Sequence, residues 1–319
     1  MNALDRQYLD AVTTHNVWSA ELTPTLYVRP GETFEIETSL GGGARYLESA
    51  TPDDVWEVAR AAAGLALTGP VFVEGAEPGD VVGIELLEIA IADWGYTSIA
   101  PGFGLLTEDF PDPAVRIWDL SNKTAARFDD NITIPLEPFL GTIGVAPPAP
   151  AVLPTIPPTR WGGNFDTKRM TRNATVFLPV GAAGALVSLG DAHGAQGDGE
   201  VCGSAIETSC VAVVRISLHK ETSIRFPMFR SPAPAGRHNG SATHITTGIG
   251  PDLYLAAKEA VRGMIDWLVR RCDLTPVDAY ILCSVCVDLS VNEIVDQPNW
   301  VVAANLPLSV FARPPAAQA

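Results

Sequence analysis

The chain has 319 residues, 47% of them hydrophobic and 18% charged, with 37 acids against 21 bases and a formal net charge of −16. That length supports a large core, or two cores sharing an interface. The negative balance, with no basic stripe, argues against a nucleic-acid surface and against anionic lipid, so the expected partner is small or neutral. The opening MNALDRQYLDAV lacks the apolar run of a signal peptide. The apolar stretch from Val58 to Val73 is broken by Pro70 and is too short to span a bilayer. A cytoplasmic protein is expected.

In chain order the text reads mostly as strands. Residues 24–38, PTLYVRPGETFEIET, read as strand, Pro-Gly turn, strand. Pro52 and Asp53 open a short helix in 52–62. Residues 70–91 repeat the first pattern, and the EPGD turn is expected to set two alternating strands against each other, with Asp80 as a turn residue. Residues 95–112 are irregular and glycine-rich, a lid or a surface loop. Residues 113–136 return to strands around a turn at Asp129–Asn131. The proline-rich 146–160 forbids a central strand. It either divides lobes 1–150 and 160–310 or is a fixed connection inside one unit spanning 1–319.

Two strands are expected in 174–190 around Gly181–Gly184, and one long strand or two in 204–218. Leu253, Ala257, Val261, Ile265 and Leu268 recur at helical spacing in 251–272, with Arg270 and Arg271 favourable to the dipole at the carboxyl end. Thr275-Pro276 should stop this helix and a strand resume over 277–290, followed by a turn or short helix at 288–296. The five cysteines, Cys202, Cys210, Cys272, Cys283 and Cys286, sit in apolar text and read as buried thiols. The Cys283–Cys286 pair has no second pair to complete a four-thiolate zinc site.

The richest chemistry lies in GDAHGAQGDGEVCGSAIE, residues 190–207. Asp191 and His193 are two apart, so an extended chain would present both to one ion. Carboxylate with imidazole suits zinc or a similar divalent cation. The plain alternative is an acidic, glycine-rich surface loop. Asn164 and Asp166 in RWGGNFD have the same alternate spacing, and here the alternative is a Gly-Gly turn with an Asx interaction. His15 with Trp18 nearby, His238 and His244 are further polar candidates, whereas His219 reads as an exposed edge. No GxxxxGK[ST] or GxSxG is present. Lys168 and Ser188 form no recognisable serine-lysine arrangement. Cys202 is a poor nucleophile because neighbouring carboxylates oppose its thiolate.

These segments together resemble the acetamidase/formamidase family. The resemblance is carried by TGPVFVEGAEPGDVVGIELLEI (68–89), GGNFD (162–166), FLPVGAAGALVSLGDAHGAQGDGEVCGSAIE (177–207) and CSVCVDLSVNEIVD (283–296). It runs from about His15 to Leu306, and the GDAHGAQGDGEVCG core is highly specific. The resemblance implies a mainly β fold, a β-sandwich-like core with a smaller C-terminal α/β portion, in a homo-oligomer. It implies hydrolysis of formamide, acetamide or a similar short amide with a divalent metal, zinc first and calcium second. Asp166, Asp191, His193 and Glu200 are the expected metal residues. Glu200 or Glu207 is expected to move the proton, and Asn164 or a backbone N–H to meet the oxyanion. Trp18, Trp161, Phe165 and His244 are expected around the substrate. The chain departs from the family pattern at Phe165, where methionine is common, at Gly194, where alanine is, and at Cys286-Val287. Those departures bear on substrate preference. A hydrolase of another small C–N substrate, linear or cyclic, and a noncatalytic metal or ligand binder are the competing readings.

Overall fold

The computed structural model describes residues 6–40, 50–54, 57, 64–130, 133–220, 222–232, 242–276, 279, 283, 287–311 and 315. Two nine-stranded sheets carry the fold. The first runs, side by side, Gln7–Leu9, Thr33–Thr38, Cys210–His219, Val81–Ile91, Thr175–Pro179, Met228–Ser231, Thr243–Gly250, Trp300–Pro307 and Asp288–Glu293. The second runs Gly162–Asn164, Phe139–Gly144, Val187–His193, Glu207–Thr208, Trp94–Ile99 and Ala114–Asp119. A branch, Leu67–Val73, pairs with Val187–His193 and carries Thr14–His15 and Leu26–Val28.

The sheets share one apolar core. Phe34, Ile36, Ile84 and Val214 of the first sheet are buried in the same cluster as Val71, Leu140, Ile143 and Leu189 of the second. The alternation of Thr33–Thr38 sends every second side chain inward. Val187–His193 is buried at every residue, so it belongs to the interior on both faces. A mainly β, sandwich-like core is thus what the chain builds. Residues on both sides of the proline-rich stretch contribute to it.

The Pro-Gly turns work differently from the expected hairpins. The strands on either side of residues 29–32 pair in different sheets, and so do those on either side of Glu77–Asp80. The turn at 180–186 likewise joins Thr175–Pro179 of the first sheet to Val187–His193 of the second. Alternation reports which face of a strand is buried, but not its partner. The segment 204–218 also divides, with Glu207–Thr208 in the second sheet and Cys210–His219 in the first. Part of the stretch read as irregular, 95–99, belongs to the strand Trp94–Ile99.

The helix Leu253–Cys272 forms a third layer. Asp252 caps it by accepting a bond from the Leu255 amide, Arg270 and Arg271 occupy the last turn, and Asp273 ends it in a left-handed conformation. Its most buried residues are Ala256, Ala260, Met264, Trp267 and Leu268. The stripe is rotated from the expected one because the helix rests on Gly248, where any Cβ would collide with the Ala256 carbonyl oxygen. Pro276 does not start a strand. Residues 276, 279 and 283 are helical, with Ala279 N bonded to Thr275 O at 2.9 Å, and the strand begins only at Asp288. Proline suits the first helical turn, and Ala279 and Cys283, one turn apart, bury against the outer cluster. Of the helix expected in 52–62, residues 52–54 and 57 are helical, and the rest lies outside the described residues, as do His238 and Cys286.

Replacing Gly248 with alanine is expected to cost about 1–3 kcal/mol by overpacking the helix against its strand. Gly250→Ala, with open space around it, should change stability by less than about 0.5 kcal/mol. Urea denaturation midpoints of the two variants check this.

Candidate metal centre and active site

Strand register assembles the site. His193 stands directly opposite Glu207 on one neighbour and opposite Phe139 on the other. Its Nε2 lies 3.1 Å from Glu207 Oε2 and 3.4 Å from Asp191 Oδ2, and Phe139 meets the ring edge-on at 5.0 Å. Asn164 pairs with Thr142 in the adjoining strands, and the Thr142 hydroxyl donates to Asn164 Oδ1. Both Asn164 N–H groups are taken, by Asp166 Oδ2 at 2.5 Å and Asp296 Oδ2 at 2.6 Å.

The Gln196 amide determines the His193 tautomer. Gln196 Nε2 donates to the Asp166 carbonyl at 2.6 Å, which can only accept. Gln196 Oε1 therefore faces His193 Nδ1 at 2.9 Å, and Nδ1 carries the proton. Nε2 is left pointing at two carboxylates, without an aligned hydrogen bond to either. Asp166 Oδ1 is likewise buried without a partner. At Gly141 a Cβ would stand 2.5 Å from Asp166 Oδ1 and 2.9 Å from Asp191 Oδ2, so only glycine leaves that space open between them.

The electrostatics demand positive charge. Asp166, Asp191, Glu200, Glu207, Glu293 and Asp296 are all buried in one cluster with this imidazole, Glu293 and Asp296 joining it through Glu200, Asp166 and Asn164. Burial raises the pKa of Asp166 well above the usual carboxylate range, with Glu200, Asp296 and Asp191 adding to it. Burial, then Glu207 and Asp296, does the same to Glu200. Burial raises Glu207, against the opposing pull of His193. Burial and Glu293 raise Asp296, and burial pushes Glu293 to about 7. Burial works against a protonated His193, but Glu207 and Asp191 outweigh it and hold its pKa well above normal. The space beside Nε2 is therefore one for a proton or a cation.

Two donor sets suit a metal ion, Asp166–Asp191–His193 and His193–Glu200–Glu207, each with its ligand atoms within 4.8 Å of one another. Nitrogen with carboxylate oxygen is chemistry suited to zinc and related divalent ions. The Nδ1–H···Oε1 bond that His193 donates to Gln196 is the kind of contact that would hold a ligating histidine in place. The residues fit a bound cation.

A cavity of about 940 Å³ borders this cluster, with Gln196, Glu200 and Ser204 in its lining. Asp198 lies on its wall, paired with Lys168 at 2.9 Å. Cys202 also lines it, its thiol donating to Ser204 O at 3.3 Å and its pKa raised by burial.

The expected substrate residues pack elsewhere. Trp18 is buried against Gly144 and beside His15, and Trp161 packs on Gly181 under Arg160. Phe165 is fully buried edge-on to Phe229 at 5.2 Å. His244 stacks on Trp267 at 3.7 Å beneath the helix, and burial pushes its pKa down to about 3. None of the four is among the described residues lining the cavity. The aromatic walls there are Trp118 and Phe128. Sequence reasoning missed Gly141, Glu293 and Asp296. The two acids had a signal, since VNEIVD sets them in apolar text; Gly141 had none, because its role depends on a strand pairing.

The Acetamidase/Formamidase family profile matches residues 3–153 and 149–313. The chain belongs to that family. It is 26% identical over 370 aligned residues to a formamidase of Methylophilus methylotrophus, covering 93% of this chain and 89% of that one. It superposes on the crystal structure of an acetamidase from Bacillus halodurans with a TM-score of 0.85 and 28% identity, over 95% of this chain and 98% of that one. A gamma lactamase from Delftia acidovorans gives a TM-score of 0.67 and 27% identity, over 95% and 91%. The family points to an amidohydrolase-type enzyme. Among the described residues no helix is long and apolar enough to cross a membrane.

Gly141→Ala is expected to weaken zinc binding at least tenfold while the β-rich circular dichroism spectrum persists. Gln196→Ala should cost roughly 10–100-fold in metal affinity. Competition against a chromophoric chelator measures both, and wild-type affinity in either variant contradicts the site drawn here.

Proposed function

We propose that the chain hydrolyses a primary amide to ammonia and a carboxylate, using one divalent cation, zinc first and calcium second, held by Asp166, Asp191 and His193. The observation that carries this reading is the His193 Nε2 that faces Asp191 and Glu207, beside a cavity lined by Gln196 and Glu200. A cation there would lower the pKa of water and polarise the amide carbonyl.

Glu200 is the acid that moves the proton. It lines the cavity, and burial raises its pKa well above the usual carboxylate range, which favours its holding a proton. It takes a proton from the attacking water and returns it to the departing nitrogen, which leaves as ammonia. Glu207 is placed to hold rather than to transfer. Its Oε1 accepts from the Ala205 amide at 2.8 Å and the Ser204 hydroxyl at 3.3 Å, while Oε2 faces His193. Asn164, with both N–H groups taken, orients Asp166 and leaves oxyanion stabilisation to other donors.

The likeness to the gamma lactamase favours a second reading, ring opening of a cyclic amide. There the nitrogen stays on the product and no ammonia appears.

Purified protein, stripped with chelator, should release little ammonia from formamide or acetamide, and added zinc should restore it. Glu200→Gln should retain the metal and lose roughly 10²–10⁴-fold in kcat. Folded, metal-loaded protein that releases no ammonia from primary amides would refute the proposal.

A further inference from the structure

The cavity beside the acid–His cluster is far larger than the family's smallest substrates need. Acetamide fills on the order of 100 Å³, a few times the roughly 30 Å³ that a water takes in the liquid. The cavity holds about 940 Å³. Its outer wall is apolar and aromatic, built from Trp118, Phe128, Ile134, Pro135 and Ile206.

That wall is preformed. The Trp118 indole N–H is satisfied by the Thr97 hydroxyl at 2.9 Å, which fixes the ring. Phe128 lies 5.8 Å from it, tilted by 45°. The Arg116 guanidinium sits 4.0 Å from the centre of the Phe128 ring and donates to the Phe128 carbonyl at 3.1 Å. Phe128 is still 39% exposed, although it is a large apolar residue in a cavity that leads to the cluster. Binding pockets of this size and lining take ligands with a substantial apolar group. Ring–ring contact at such spacing is favourable to an aromatic guest. The formal charges on the wall offset one another, Lys168, Arg169 and Arg172 against Glu137, Asp198 and Glu200. An uncharged substrate is therefore the match.

We infer that the preferred substrates are primary amides whose acyl group carries an aromatic ring, such as phenylacetamide, with the ring on the Trp118–Phe128 wall and the amide at the acid–His cluster. This rests on the amide hydrolysis proposed above and names its substrate class. The reaction balances as for acetamide: water adds to the carbonyl carbon, the C–N bond breaks, and phenylacetate and ammonia leave. Burying the ring adds binding energy remote from the reacting carbon, enough for a tenfold or greater gain in kcat/KM.

The test measures ammonia release by zinc-loaded wild-type protein and by Phe128→Ala, each on phenylacetamide and on acetamide. The wild-type ratio of kcat/KM, phenylacetamide over acetamide, is expected to be tenfold or more. Phe128→Ala, at a half-exposed position, is expected to lower that ratio at least fivefold. A wild-type ratio below tenfold, or one that Phe128→Ala leaves unchanged, overturns the inference while acetamide turnover keeps the proposed reaction standing. The wild-type comparison decides the matter without the variant should Phe128→Ala fold poorly. Ammonia from neither amide overturns both.

Discussion

Six buried acids around one imidazole cannot all be ionised without a compensating positive charge. The site is organised around that constraint. His193 is the one basic side chain within it among the described residues, and its Nδ1 proton is turned outward to Gln196. The lone pair on Nε2 therefore meets Asp191 and Glu207 head-on, an arrangement that repels unless a proton or metal ion lies between. Hydrogen bonds absorb some of the remaining negative charge. Asn164 serves Asp166 and Asp296 together, and the amides of Val295 and Asp296 serve Glu293. These bonds leave over Asp166 Oδ1, Glu293 Oε2 and His193 Nε2, and a cation would satisfy the Asp166 and His193 atoms.

The backbone shows how firmly that arrangement is imposed. Asp166, Asp191 and Glu200 have φ of 43°, 58° and 46°, in the left-handed region that side-chain-bearing residues avoid. Each costs on the order of 1 kcal/mol or more and persists only where surrounding structure dictates it. Here the dictation is visible. Gly141 O accepts from both Phe165 N and Asp166 N, and Gly199 N bonds Asn292 O just before Glu200. The core side chain of Phe165, packed on Phe229, anchors the residue between Asn164 and Asp166. Its packing thus reaches the site through the backbone rather than through the substrate.

Much of this was readable in the amino-acid text, and the limits were physical. Clustered Asp191, His193, Gln196, Glu200 and Glu207 drew attention to the stretch that carries the buried cluster, because acids with a histidine at the end of a buried strand need partners. The i, i+2 spacing argument reached the pairing of Asp191 with His193 by an incomplete route, since Asp191 is not in an extended conformation. Alternating strands beside Pro-Gly turns read as hairpins because local sequence encodes a turn and a buried face but not the sheet on the far side. Trp18, Trp161 and His244 drew attention as large or polar residues near candidate loops. Each instead fills space against a glycine or another ring. Gly141 depends on strand register, which a single sequence does not display; Glu293 and Asp296 stood out as acids in apolar text, but their partner Asn164 lies more than a hundred residues away.

The division of labour between elements follows from topology. Glu293 ends the edge strand of the first sheet, and Asp296, three residues on, bonds Asn164 of the second. The cluster therefore ties the two sheets together, and a change in any acid there disturbs packing as well as chemistry. The outer cavity wall has a different footing. Phe128 and Ile134 lie in or beside a two-stranded ribbon, Ala125–Arg127 with Thr133–Pro135, that pairs with neither large sheet. A wall built on such a ribbon can change its side chains without moving His193 or its neighbours. The acid–His cluster is thus held where the two sheets meet, whereas the Phe128 side of the cavity rests on the small ribbon and the Trp118 side on an edge strand of the second sheet.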